Sequence, residues 1–345
     1  MNAAIQSIES YLPAQKLTNA ELAEIFPEWS AEKIQKKTGI CERRIAAKDQ
    51  CASDLAVSAA QRLFASGACL PEDIDYLLFC TQSPDYLLPT TACLVQHRLG
   101  LRTNIGALDF NLGCSGFVYG LSLAKGLIAS EQASRVLLIT SETYSKFIHP
   151  RDKSVRVLFG DGAAATLITR TEEPVGSLGP FVVGTDGSGA ENLIVRRGGL
   201  RAPHLFNPDT DNDDDDNYLF MNGPEIFYFT MQAVPELVKR LLDRSQMSLD
   251  DVDLFVFHQA NKYMLDHLRR KLKIPEQKFS ISMQHCGNTV SSSIPLALQS
   301  AIEEGRLSAG QRVMLVGFGV GYSFAATMLE WSSAGEMRLS LGRSA

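Results

Sequence analysis

The sequence predicts an α/β fold in which one chain carries two related halves. Three observations predict it. Short, nearly continuously apolar runs alternate with helix-like runs, as expected for strands covered on both faces. DIDYLLFC (from Asp73) parallels DVDLFVFH (from Asp251), and GDGAAATLI (from Gly160) parallels GYSFAATML (from Gly321). Cys114 in LGCSGF and Asn288 in HCGNTV each follow a glycine and precede a helix-like stretch that leads into an apolar strand, RVLLIT in one half and RVMLVGF in the other. A repeat of roughly half the chain, far above the ~20–50 residues of solenoid units, points to a duplicated domain.

The elements follow in order. Strands are expected at 76–79, 105–110, 136–139, 163–168, 254–257 and 313–316, most of them short and nearly continuously apolar. Helices are expected at 53–65, 114–129, 235–244 and 261–272. The second of these has Phe117, Leu121, Ala124 and Ile128 at helical spacing. TEEPVGSLG, near Thr171 to Gly179, collects turn residues and places the internal boundary. The N-terminal half is therefore read as 1–175, carrying the cysteine, and the C-terminal half as 176–345, carrying His258 and Asn288. The acidic run NPDTDNDDDDN (207–217) reads as a solvated loop. It lacks the ligand spacing of a calcium loop.

Bulk properties restrict the function. The chain has 345 residues, 45% hydrophobic and 21% charged, enough for substantial cores. A net charge of -6 gives no attraction to nucleic acid or an anionic membrane, so neither is an expected partner. No run approaches the ~18 apolar residues of a membrane span. MNAAIQSIESYLP lacks the basic start and apolar core of a secretory signal. The seven cysteines are odd in number and show no C-x-x-C spacing, against a disulfide framework or a zinc site, and a reducing cytosol is the expected compartment.

Cys114 is the candidate nucleophile. At the start of a helix, unpaired N–H groups and the dipole are expected to lower its pKa and favour the attacking thiolate. His258 ends an apolar strand, where α/β proteins place ligands. Asn288, taken alone, reads as a helix cap. Together they can form and use a thioester: cysteine accepts an acyl group, and imidazole and carboxamide N–H groups stabilise an enolate oxygen. GFGVGYS, from Gly317, reads either as an oxyanion hole of open backbone N–H groups or as a glycine-rich turn. Other uses of the trio are acyl transfer to an oxygen or nitrogen acceptor with His258 as general base, peptide hydrolysis (whose C-G-S-C-W type signature is absent), and a non-catalytic partner of another synthase.

At these residues the chain resembles β-ketoacyl-acyl-carrier-protein synthase III of the thiolase-like superfamily. The anchors are KTGICERRIAA (from Lys37), LGCSGF, FGDGAAA (from Phe159), MNGPEIF (from Met221), FHQAN, GNTVSSSIP and GFGVGYS. The resemblance implies a five-layer αβαβα fold, a homodimer and no metal or redox cofactor. It implies that Cys114 is acylated by an acyl-coenzyme A or acyl-carrier-protein donor, and that His258 and Asn288 bind the carbonyl of malonyl-acyl-carrier-protein. Decarboxylation then gives an enolate that attacks the thioester, with the N–H groups of Cys114 and Val320 as oxyanion hole. Phe159 and Asn261 fall in its substrate-binding motifs. Lys33 and Lys37 stand where the family commonly has a tryptophan and an arginine that hold the coenzyme A nucleotide, and Lys153 stands at another usual arginine. Lysine contacts phosphate but does not stack on adenine, which opens the alternative of a carrier-protein donor or a specialised pathway. Leu88 occupies the position of a bulky residue that reaches across the dimer to the acyl pocket. Arg269, Arg270 and Lys271 form a basic patch that reads as a carrier-protein docking surface or a solvated helix face.

Overall fold

The computed structural model describes residues 2–172, 176–203 and 217–332. The acidic run lies outside them except for Asn217. The chain opens on β1 (Asn2–Tyr11), then β2 (Gln15–Thr18), α1 (Asn19–Ile25), α2 (Ala31–Thr38) and β3 (Glu42–Ile45). Next come α3 (Ala52–Ala65), β4 (Tyr76–Cys80), α4 (Thr91–Arg98), β5 (Gly106–Phe110), α5 (Gly116–Ala129), β6 (Arg135–Glu142), α6 (Lys153–Arg156) and β7 (Gly162–Thr171). The remainder runs β8 (Leu178–Thr185), β9 (Leu193–Val195), β10 (Leu219–Met221), α7 (Gly223–Ser245), β11 (Leu254–Phe257), α8 (Lys262–Lys271), α9 (Ser293–Glu303), β12 (Arg312–Gly319) and β13 (Ser323–Glu330).

Two larger sheets organise these elements. One has the order β1-β7-β6-β4-β5, the other β11-β12-β13-β8. β4 runs parallel to β5 and β6, and β11 runs parallel to β12, whereas β7 and β13 return antiparallel. Side chains alternate faces along each strand. Leu78 of β4 and Leu315 of β12 point into a central layer with Phe117, Leu121 and Ile128 of α5 and Ile294 and Leu298 of α9. Leu77 and Phe79 point the other way, onto α3 and α4. Met314 and Val316 likewise face α7 and α8. The result is five layers, helix-sheet-helix-sheet-helix, the αβαβα architecture expected for a thiolase-like chain. α5 and α9 share the middle layer, so whatever precedes each of them is brought toward the junction of the two sheets.

The expected helix at 235–244 is part of a longer one. α7 begins at Gly223, where Asn222 Oδ1 accepts the Glu225 N–H at 3.4 Å and Pro224 fits the first turn. Pro235 lies in its interior rather than at its start. A proline there cannot donate to the carbonyl four residues back. That carbonyl, Met231 O, instead accepts Lys271 Nζ at 2.7 Å. The helix expected from 114 starts at Gly116, with Cys114 just outside it. β1, β8 and β13 were not among the expected strands. β1 intersperses Ala and Ile with Asn, Gln, Ser and Glu, and it is held by pairing with β7 along almost its whole length.

Arg43 in KTGICERRIAA fixes the short β2–β3 ribbon to the body. It is fully buried. Nε and Nη2 donate to Val157 O at 2.9 and 2.5 Å, and Nη1 donates to Asn19 Oδ1. Burial pushes its pKa down to about 10. Arg43→Ala would leave those acceptors unpaired in a cavity, and it is expected to cost about 2–4 kcal/mol, read as a lower urea midpoint at unchanged m-value.

Candidate functional site

Cys114, His258 and Asn288 line one cavity of about 360 Å³. They are only 5%, 2% and 4% exposed. Cys114 sits ahead of α5, pressed against the end of β12. A Cβ on Gly319 would stand 2.8 Å from Cys114 Cβ and 2.9 Å from its Sγ, and one on Gly317 would stand 2.7 Å from Ser115 Cα. Ser115 Oγ and Ser323 Oγ, 2.6 Å apart, join the same two segments. The glycines of GFGVGYS thus both make a turn, between β12 and β13, and admit the cysteine. The backbone N–H groups of Cys114 and Val320 act on the sulfur and favour its anion.

The expected lowering of the thiol pKa is not met. Burial pushes it from 9.0 to about 12, and the nearby Glu142 carboxylate adds to the rise. Such a rise is worth roughly 4 kcal/mol, against ~0.3–2 kcal/mol for a helix dipole, so desolvation wins.

His258 follows β11, its N–H donating to Val316 O at 2.8 Å. Its Nδ1 lies 2.7 Å from Ser293 Oγ, and its ring stands nearly perpendicular to that of Phe318, with centroids 5.5 Å apart and planes at 82°. Burial pushes its pKa down to about 3, so the imidazole is neutral. Asn288 donates its N–H to Leu158 O at 2.9 Å. Its Oδ1 accepts the Val290 N–H at 2.9 Å, which orients the carboxamide. Val290 provides that N–H from a left-handed φ of 54°, which costs a β-branched residue about 1–3 kcal/mol. With Oδ1 engaged, Asn288 turns its Nδ2 toward the Ala260 carbonyl at 3.4 Å and the cavity.

Glu142, at the end of β6, is a buried carboxylate held by donors from both halves. Gln82 N–H, Ser83 Oγ and Ser291 Oγ reach it at 3.0, 3.1 and 2.7 Å. Burial pushes its pKa up to about 8. Sequence reasoning missed Glu142, Phe318, Ser293 and Val290. Phe318, Ser293 and Val290 lie inside quoted motifs, but nothing local marks what they touch.

The other candidates are spread out. Phe159 and Asn261 line the same cavity. Asn261 also caps α8, accepting the Met264 N–H at 2.9 Å. Lys37 borders a neighbouring cavity that shares Leu158, Asn261 and Tyr263 with the first. Lys33 and Lys37 lie over the Trp29 ring at 5.3 and 4.8 Å, an aromatic neighbour that sequence reasoning passed over. Lys153 pairs with Glu28 at 2.7 Å. Leu88 is 85% exposed beside Tyr86 and Leu87, which border a cavity reaching Val320. Arg270 donates to Asp266 O at 3.0 Å, Arg269 lies 3.5 Å from Glu276, and Lys271 holds Met231 O as described.

Two outcomes are expected. Glu142→Gln removes a negative charge that raises the Cys114 pKa, so the pH profile of Cys114 alkylation by iodoacetamide shifts to lower pH. Gly319→Ala displaces the sulfur and slows acylation about 10²-fold, read by intact mass against time.

Residues 108–187 match the family described as 3-oxoacyl-[acyl-carrier-protein (ACP)] synthase III, and residues 242–331 match its C-terminal part. A β-ketoacyl-[acyl-carrier-protein] synthase III of Clostridium perfringens is 38% identical over 329 residues, covering 95% of this chain and 99% of that protein. β-Ketoacyl-[acyl-carrier-protein] synthase III 3 of Streptomyces coelicolor is 40% identical over 329 residues, covering 95% and 96%. A crystal structure of a 3-oxoacyl-(acyl-carrier-protein) synthase III is 52% identical with a TM-score of 0.93, over 96% of this chain and 100% of that one. With likeness of this kind along nearly its whole length, the chain belongs to the β-ketoacyl-[acyl-carrier-protein] synthase III family.

Proposed function

We propose that the protein condenses an acyl primer, held as a thioester on Cys114, with malonyl-acyl-carrier-protein to give a 3-oxoacyl product. The observation that carries this reading is a buried thiol, imidazole and carboxamide on one largely apolar cavity, with the carboxamide oxygen and Nδ1 of the imidazole engaged from behind. In the first half-reaction the Cys114 sulfur attacks the primer thioester, and the carrier's thiol leaves with the proton. In the second, the malonyl carboxylate departs as carbon dioxide and its bonding electrons move into the thioester. The resulting enolate oxygen is held by N–H donors of His258 and Asn288. The enolate carbon attacks the acyl-Cys114 carbonyl, whose oxygen takes the N–H groups of Cys114 and Val320, and collapse expels the Cys114 thiolate.

Acyl transfer to an oxygen or nitrogen acceptor needs a general base. An imidazole with a pKa of about 3 is poorly matched to that task, which favours condensation. The primer donor, acyl-coenzyme A or acyl-carrier protein, would approach past Trp29 and Lys37, with Lys33 and Lys153 at hand for phosphate and Phe159 and Asn261 along the channel. Arg269, Arg270 and Lys271 are the proposed carrier-protein docking patch. We read the protein as a homodimer, with 1–175 supplying the nucleophile and 176–345 the histidine and asparagine of each subunit. In support, the exposed run Tyr86, Leu87 and Leu88 calls for cover, and β5 is an edge strand. Among the described residues no helix is long and apolar enough to cross a membrane; the cytoplasm is the proposed location.

Incubation with a panel of acyl-coenzyme A and acyl-carrier-protein donors, followed by intact mass spectrometry, is expected to load an acyl group on the wild type and none on Cys114→Ala. His258→Ala and Asn288→Ala are expected to load normally while carbon dioxide release from malonyl-carrier protein falls about 10²–10³-fold. Wild-type turnover by Cys114→Ala would end the reading.

A further inference from the structure

Three consecutive serines in GNTVSSSIP have three different partners. Ser291 Oγ donates to Glu142 Oε1 at 2.7 Å. Ser292 Oγ lies 3.1 Å from the Gly162 carbonyl and 3.0 Å from Thr140 Oγ1. Ser293 Oγ lies 2.7 Å from His258 Nδ1. Ser293 opens α9, yet the helix has no side-chain cap, so its hydroxyl is not used to start the helix.

We infer that Ser293 is a positioning residue that fixes His258 as the Nε2–H tautomer, so that the nitrogen facing the cavity is a hydrogen-bond donor. The consequence for turnover rests on the condensation reading above; the tautomer itself does not. A neutral imidazole carries one N–H and one bare nitrogen, and the partner of one nitrogen decides the state of the other. The Gln259 N–H donates to Ser293 Oγ at 3.4 Å and occupies one lone pair. The hydroxyl hydrogen then needs an acceptor, and Nδ1 is the acceptor within reach. In the other tautomer Nδ1–H would donate into the same oxygen. That oxygen would accept two hydrogen bonds, and its own hydrogen would have no acceptor among its described contacts, a cost of about 1–3 kcal/mol in a buried place. The bare Nε2 would also meet the substrate oxygen lone pair to lone pair. The Phe318 ring, packed nearly perpendicular to the imidazole, limits its rotation, and burial keeps it neutral, so tautomer choice is the freedom left for Ser293 to remove.

The test has two arms. Nitrogen-15 NMR of histidine-labelled protein, with His258→Ala to assign the signal, reports which ring nitrogen bears hydrogen. The expected wild-type spectrum has a pyridine-type Nδ1 and a pyrrole-type Nε2; a protonated Nδ1 overturns the inference. In the second arm, Ser293→Ala is expected to acylate Cys114 normally, lose decarboxylation of malonyl-carrier protein about 10–100-fold, and lose the single wild-type tautomer, with Ser293→Thr restoring both. Ser293→Ala with the wild-type tautomer and the wild-type decarboxylation rate also overturns it. If Ser293→Ala does not fold, the wild-type spectrum decides alone. A wild type that neither loads acyl groups nor releases carbon dioxide would sink the condensation reading and leave the tautomer assignment standing on its spectrum.

Discussion

The end of β12 lies against the start of α5 with no space for a side chain between them, and the rest of the centre depends on that approach. Because Gly317 and Gly319 present only backbone, Val320 can direct its N–H at the Cys114 sulfur. β12 belongs to one sheet, and α5 connects β5 to β6 of the other, so the contact also sets how the two sheets meet. The Ser115–Ser323 hydrogen bond and the Ser291–Glu142 hydrogen bond also join the two halves. The central layer of α5 and α9 makes this geometry stiff. Both helices are packed on two faces, and a shift of either would open voids in a core that tolerates few.

The groups around the cavity are neutral at rest. Burial drives the thiol pKa to about 12 and the imidazole to about 3, each toward its uncharged form near neutral pH. An uncharged centre of fixed dipoles stabilises charge that appears during a reaction without having to reorganise. Its orientation therefore has to be built in, and the partners behind the functional atoms do that work: Val290 N–H on the carboxamide oxygen, Ser293 on the imidazole nitrogen, Phe318 against the imidazole ring. The strained φ of Val290 is consistent with this, since strain persists only where the surroundings impose it.

What could be read from the sequence followed from local pattern. Apolar runs with turn signals between them marked β4, β11 and β12, and the internal repeat placed Cys114 and Asn288 ahead of the two central helices. What escaped depends on distant contacts. β1 is a strand because β7 lies alongside it, and nothing in NAAIQSIESY announces as much. The start of α7 was misplaced because Pro235 reads as a boundary, whereas the missing N–H is compensated by Lys271, 36 positions on. Glu142 lies in no motif, and its setting exists only once β6 meets the turn before α9. The thiol pKa was misjudged because a helix start is visible in sequence and complete burial is not.

That misjudgement bears on mechanism. A thiol with a pKa near 12 is a poor resting nucleophile, yet in condensation the charge does not have to come from the thiol. The malonyl carboxylate brings one negative charge into the cavity, and carbon dioxide leaves without it. The electron pair passes through the enolate to the new carbon–carbon bond, and the charge emerges on the Cys114 sulfur when the tetrahedral intermediate collapses. That thiolate, with a pKa near 12, takes up a proton before the next acylation, and the carrier's thiol then carries this proton away. A centre that is neutral at rest is suited to a reaction whose substrate carries in the charge.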